Sequence, residues 1–380
     1  MKNLLHSLMI FSVLVLFNGG GFAHANDASG DAAEGATAAT SLPKVLIVAT
    51  GGTISGVQDD PNDPTVYRAG TLTAEQIIDS VPQLADFAEV EVLQFSNMPS
   101  TQIKPADWVR LSRTVSERLV TDADLAGVVI THGTDRLEET AFFLHLTVRS
   151  DKPVVIVGAQ RPATHDSADG PANLLAAVKT AGAETSRDRG VLVVMDERIL
   201  SAREVRKDYP RVGGFGTGRI GLVGSKGPEY LYRPSRPHTY QTEFDLSENI
   251  ELPKVDMVFS YSGGLGPRSI RPPAGIVVTT TNTTCDESLA LQVLARAGVV
   301  VVTAFPTGET LRTPRPIEAS APQRSRESCS ELAGDPRWEG RWIPPLPAQM
   351  LTPQKARILL MLALSRTGSR DAIGEIFQRY

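Results

Sequence analysis

The chain has 380 residues, 41% of them hydrophobic and 21% charged, enough for two domains with a sizeable core. Its net charge is −5, and −6 without the first 25 residues, which hold one Lys and no acid. That balance excludes a basic nucleic-acid binder or a protein drawn to an anionic membrane.

Residues 1–25 read as a signal peptide: Lys2, an apolar run from Leu8 to Phe17, then Ala23-His24-Ala25 as an A-x-A cleavage site before Asn26. The run is too short to span a bilayer, so the expected product is exported, to the periplasm or beyond. Residues 26–41, rich in Ala, Gly, Ser, Thr and Asp, read as a flexible lead-in. Lys44 to Ala49 is an unbroken apolar strand of the kind buried on both faces of a parallel sheet. It runs into Thr50-Gly-Gly-Thr-Ile-Ser-Gly56. Thr73-Ala-Glu-Gln76 is a capping box that opens a helix from Ala74 to Ser80. Val90 to Phe95 is a strand, and Trp108, Leu111, Val115 and Leu119 place a helix over Asp107 to Val120.

Gly127-Val-Val-Ile-Thr-His-Gly-Thr-Asp135 repeats the first arrangement: a buried strand ends in a polar turn, and a helix from Leu137 to Arg149 follows with acids in its first turn. Such a turn sits at the carboxyl edge of a sheet, where open α/β folds keep their ligands. Strands at Pro153 to Gly158 and Val191 to Met195 flank a helix that Pro171 opens. This alternation predicts a doubly wound parallel-sheet domain over 42–230. A Pro-, Tyr- and Arg-rich linker over 231–252 leads to a smaller α/β domain over 253–380. There the expected strands are Val255 to Phe259, Gly275 to Thr279 and Val299 to Thr303. The expected helices are Asp286 to Ala297, Pro353 to Ser365 and Asp371 to Gln378. Residues 310–349, with many Pro and Arg plus Trp338 and Trp342, show no period and suggest a functional or subunit-contact loop.

Gly216-Thr-Gly-Arg-Ile-Gly221 satisfies G-x-G-x-x-G, but no apolar strand precedes it and a strand-like Leu222-Val-Gly224 follows in place of a helix, so it reads as a glycine-rich loop. His132, His145 and His165 lack ligand spacing; His132 suits a hydrogen bond to backbone, and His145 a packed or surface position on a helix. Cys285 and Cys329 have no neighbouring His or Cys at metal-ligand spacing, and in an oxidising compartment they could close one disulfide. Thr53, after two glycines that let the backbone approach a ligand, is a candidate nucleophile. A Thr hydroxyl needs a proton acceptor, and a Tyr or a partly desolvated Lys such as Lys207 could supply it.

The two threonine turns resemble the two signatures of bacterial L-asparaginases, and specifically the exported type II (asparaginase/glutaminase) branch. Lys152-Pro-Val-Val-Ile-Val-Gly-Ala-Gln-Arg-Pro162, Ser167-Ala-Asp-Gly-Pro171, Arg189-Gly-Val-Leu-Val-Val-Met195 and Thr352-Pro-Gln-Lys-Ala-Arg357 extend the resemblance from Pro43 to Tyr380. It implies hydrolysis of a side-chain amide to an acid and ammonia, with no metal or organic cofactor. It also implies a homotetramer with sites between subunits. Thr53 matches the threonine that forms the acyl-enzyme, and Tyr67 a lid tyrosine oriented toward it. Thr134, Lys207 and Asp135 match a hydrogen-bonded relay. Asp135 would also hold the substrate's α-ammonium and Ser100 its α-carboxylate, with Gly52, Thr101, Gly133 and Ala159 completing the binding surface.

Several positions depart from the family pattern. Arg136 replaces a small hydroxyl residue, Thr101 stands where Gln or Glu is usual, and Gly263 stands where a neighbouring subunit lends an Asn. Arg315 occupies the place of an acid, for which Glu309 and Glu318 are possible stand-ins. The expectation is therefore a retained reaction class with altered grip on the amino-acid end: asparagine first, glutamine second. The competing readings are a threonine amidohydrolase for a β-aspartyl or glutaminyl amide, and an exported amino-acid binding protein without turnover. A tRNA-linked amidotransferase subunit shares the signatures but is not exported.

Overall fold

A computed structural model describes residues 41–60, 63, 66–246, 250–264, 266, 272–280, 282–308, 329–332 and 334–380. Five strands form the parallel part of the larger sheet: β1 (Lys44–Ala49), β4 (Glu89–Gln94), β5 (Leu125–Thr131), β6 (Val154–Val157) and β7 (Val191–Met195). A two-stranded ribbon, β2 (Val57–Gln58) and β3 (Tyr67–Arg68), stands outside that sheet. Side chains two apart along a strand share a face, and the apolar runs split accordingly. Val45, Ile47, Val129, Val155, Leu192 and Val194 face α4 (Gly170–Ala181) and Ile77 of α1 (Ala74–Asp79). Leu46, Val48, Val128, Ile130, Ile156 and Val193 face α2 (Pro105–Thr121) and α3 (Leu137–Thr147). Helices on both faces explain why β1, β5, β6 and β7 show almost no polar positions, whereas the edge strand β4 keeps Glu89, Glu91 and Gln94.

In space the parallel strands run β4-β1-β5-β6-β7. After β1 the chain visits one neighbour, β4, and then returns to the other, β5. That reversal opens a crevice at the carboxyl ends of β1 and β5, the switch point at which open α/β sheets bind ligands. Ala49 pairs with Thr131 in register, so the two polar turns leave the sheet side by side.

Beyond β7 the sheet gains three antiparallel strands that the helical periodicity did not announce: β8 (Arg198–Ser201), β9 (Arg219–Gly224) and β10 (Gly227–Tyr230). They are four to six residues long with mixed exposure. β7 and β8 are joined by Asp196 and Glu197 at φ 52° and 60°, the pair of positive dihedrals that a tight hairpin turn needs. The glycine-rich Gly216–Gly221 stretch runs into β9 with no helix after it.

The smaller sheet is parallel throughout, in the order β11 (Val255–Phe259), β12 (Gly275–Thr279), β13 (Val300–Ala304), β14 (Leu346–Pro347). Helix α5 (Cys285–Arg296) packs on one face through Leu291, against Ile276, Val278 and Val301. Helix α6 (Pro353–Arg366) covers the other face and also touches α3, so one apolar cluster runs from the larger sheet to the smaller. Helix α7 (Arg370–Arg379) closes the chain against α6. The 310–349 stretch contributes β14, and a stacked Trp338–Trp342 pair with ring centroids 5.7 Å apart. Cys285 and Cys329 form a disulfide beside Leu289 and Trp338. Among the described residues no helix is long and apolar enough to cross a membrane.

Candidate active site

The chain turns at the end of β1 because Gly51 and Gly52 hold φ 107° and 88°, dihedrals that favour glycine. Thr50 ties the turn to β5, its hydroxyl donating to the Thr131 carbonyl at 2.8 Å. A Cβ on Gly52 would lie 2.4 Å from both Cα and N of Gly133, and one on Gly133 would lie 2.8 Å from Ser100 Oγ. The two threonine turns and the Ser100 turn are therefore in backbone contact. No distance along the sequence reveals this.

Thr53 opens a single 3₁₀ turn and is 7% exposed. Its Oγ1 shares a 2.8 Å hydrogen bond with the Tyr67 hydroxyl. The ribbon carrying Tyr67 is tied back by the Gly70 N–H, which donates to the Gly52 carbonyl at 3.0 Å, and the ring lies over Gly56. Across the crevice Thr134 is 5% exposed. The Lys207 ammonium donates to Thr134 Oγ1 at 2.8 Å and to Asp135 Oδ1 at 2.7 Å. The Lys207 side chain is 15% exposed and that of Asp135 60%, so the carboxylate faces solvent far more than its cation.

Ser100 is buried, and its Oγ accepts the Arg136 N–H at 3.3 Å; Thr101 beside it is exposed. Ala159 is fully buried beyond the end of β6. Its loop is braced by Asp169, whose carboxylate accepts the Gln160 and Arg161 N–H groups at 2.9 Å. Arg136 turns its guanidinium away to Glu139, 3.5 Å off, and is half exposed. Gly263 is exposed at φ 77°, while Glu309, Arg315 and Glu318 lie outside the described residues.

His132 is fully buried, its Nδ1 hydrogen-bonded to the Gly133 carbonyl at 2.7 Å, as expected of a backbone-holding residue. Burial pulls its pKa down to about 4, against the opposing pull of that carbonyl, so it is a neutral brace beneath the turn. His145 is packed rather than exposed, and its Nδ1 accepts the Val191 N–H at 3.2 Å. Two further charged groups lie behind Lys207. Burial pushes the Glu138 carboxyl up, opposed by the Lys355 ammonium and the Lys207 backbone N–H. Lys355 itself is fully buried in the first turn of α6. Sequence reading passed over both, although Lys355 falls on the helical row of Ile358, Leu359 and Leu362, where a charge is out of place.

A cavity of about 300 Å³ beside β11 and β12, lined by Val258, Tyr261, Val278, Glu287 and Leu291, includes none of these residues. The crevice instead offers one hydroxyl on a phenol, a second on an ammonium, and a solvent-facing carboxylate. This set can exchange protons at a reacting centre and hold a small cationic group.

The family model for asparaginase, N-terminal, matches residues 44–229. The chain is 38% identical to L-asparaginase 2 of Bacillus subtilis, over 89% of this chain and 87% of that one. It is 37% identical to L-asparaginase 2 of Escherichia coli, over 90% of this chain and 95% of that one. A crystal structure of a probable cytoplasmic L-asparaginase from Campylobacter jejuni superposes with a TM-score of 0.75 at 33% identity, over 89% of this chain and 99% of that one. The chain belongs to the asparaginase family.

Proposed function

We propose that the protein hydrolyses L-asparagine to L-aspartate and ammonia, with L-glutamine as a second substrate, through an acyl-enzyme on Thr53. One observation carries the reading: Gly52 and Gly133 bring into contact the two turns that carry buried threonines, each already bonded to its own proton partner. Thr53 Oγ1 attacks the side-chain amide carbon, and its proton leaves along the bond to Tyr67. The amide nitrogen takes up a proton as the C–N bond breaks, and ammonia departs. Water then attacks the ester, with Thr134, Lys207 and Asp135 relaying its proton, and frees the carboxylate and Thr53. Donors fixed before the reaction lower the barrier because they need not reorganise. Asp135, exposed on one side, pairs with the substrate's α-ammonium, and Ser100 faces its α-carboxylate. Gly52, Thr101, Gly133 and Ala159 line the remainder.

Arg136, Thr101 and Gly263, which differ from the family pattern at the amino-acid end, favour a second reading with the same chemistry on another amide. The protein is exported with cleavage before Asn26, and works as a homotetramer with sites completed between subunits. Its catalytic domain spans 42–230, joined by 231–252 to the 253–380 domain. Ammonia release from Asn, Gln and β-aspartyl amides by the mature protein decides among the substrates. Thr53→Ala is expected to lower turnover by at least about a thousandfold with folding intact. Wild-type turnover in that variant would remove Thr53 from the chemistry.

A further inference from the structure

Lys355 stands where elementary electrostatics opposes it. An ammonium in the first turn of a helix meets the positive end of the dipole, and full burial adds a desolvation cost. Burial pulls its pKa down to about 8, with the carboxylates of Glu138 and Glu204 opposing and the guanidiniums of Arg203 and Arg206 assisting. Both hydrogen bonds of its ammonium go to one short segment: it donates to the Arg203 carbonyl at 2.8 Å and to that of Val205. That segment leads directly into Lys207. Glu138, the second residue of α3, lies near enough that the Lys355 ammonium and the Lys207 backbone N–H oppose the upward push of burial on its carboxyl. Its Oε2 has no hydrogen-bond partner among the described residues.

We infer that Lys355 and Glu138 are positioning residues for Lys207, clamping the backbone before it between α6 and α3 so that its ammonium reaches Thr134 and Asp135 together. The inference rests on the relay proposed above. Neither residue touches the reacting groups. Each acts through the height and tilt of the Arg203–Lys207 backbone, which is also held by the Val205 N–H bond to the Ser201 carbonyl at 2.8 Å and by an isolated bridge between Lys207 and Phe215.

The test is a double-mutant cycle on the mature full-length enzyme, read as kcat and KM for asparagine, with enzyme near substrate concentration for the slow variants. Lys355→Met is expected to lower kcat about ten- to a hundredfold and leave KM within about twofold. In a Lys207→Met background the same change is expected to cost less than about twofold, because its only target has gone. A residue that merely supports the fold loses the same factor in both backgrounds, and that result overturns the inference. Glu138→Gln keeps the shape and should fold even where Lys355→Met does not. It is expected to lower kcat several-fold, again only when Lys207 is present, and an unchanged kcat overturns the clamp. Wild-type turnover by Lys207→Met alone would instead refute the relay. A slow Lys207→Met beside a wild-type Lys355→Met refutes only the positioning role.

Discussion

Gly52→Ala tests whether the contact between the two turns sets the rate. The new Cβ would sit 2.4 Å from Gly133 Cα, where ordinary contact begins at 3.4 Å. The turns must therefore part by roughly 1 Å, a misplacement that costs about a hundredfold in rate, or about 2.7 kcal/mol of barrier. Alanine must also accept φ 88° and ψ −169°, a region nearly restricted to glycine that adds about 1–3 kcal/mol of strain to the folded state. Both effects have one origin, so kcat/KM for ammonia release and the thermal midpoint should fall together. Gly368→Ala is the control, because nothing lies within 4 Å of its added Cβ, and it should change neither. A Gly52→Ala enzyme with kcat/KM within about threefold of wild type would show that the juxtaposition does not matter for catalysis.

Tyr67→Phe removes the hydroxyl 2.8 Å from Thr53 Oγ1 and should lower kcat by about 10²–10⁴-fold, the usual worth of a positioned proton partner. A kcat within twofold of wild type would take Tyr67 out of the proton path. His132 titrates at about 4 in the folded chain against 6.5 when free, so between those pH values the unfolded chain binds the extra proton. Its contribution is whole above 6.5 and shrinks as pH falls, by about 2 kcal/mol between pH 7 and 5. Urea midpoints at the two pH values should show that loss reduced by about this amount in His132→Gln, and equal losses would contradict it. Reduction of Cys285–Cys329, which are 44 residues apart, should lower unfolding stability by about 2–4 kcal/mol. A thermal midpoint unmoved by reductant would mean that the loop is held by other contacts.

Much of the fold was legible because long parallel strands and amphipathic helices announce themselves locally. β1, β7, β11 and β12 occur over the residues their apolar runs predicted, and Thr73 caps α1 with the expected reciprocal bonds to Gln76. Of the antiparallel strands β8 to β10 only the Leu222–Gly224 end of β9 read as strand-like, since a four-residue strand such as Arg198–Ser201 carries too few alternations to count. β14 hid inside a Pro- and Arg-rich stretch for the same reason. Helix α6 misled differently. Covered from both the smaller sheet and α3, it has a broad buried face, and only the row that Lys355 shares with Ile358, Leu359 and Leu362 marks its charge as out of place.

At the site, local chemistry determined the two hydroxyl turns: glycines before Thr53, acids opening the helix after Thr134, and family resemblance naming their companions. Tertiary structure alone decided which groups touch. Lys207 meets Thr134 across 73 positions of chain, Gly52 meets Gly133, and Lys355 reaches back to Val205 across 150. Periodicity reports which face of an element is buried, because burial repeats with the helix or strand. It is silent on what lies opposite that face, because strand order and the reversal between β1 and β5 are settled by packing the whole sheet at once.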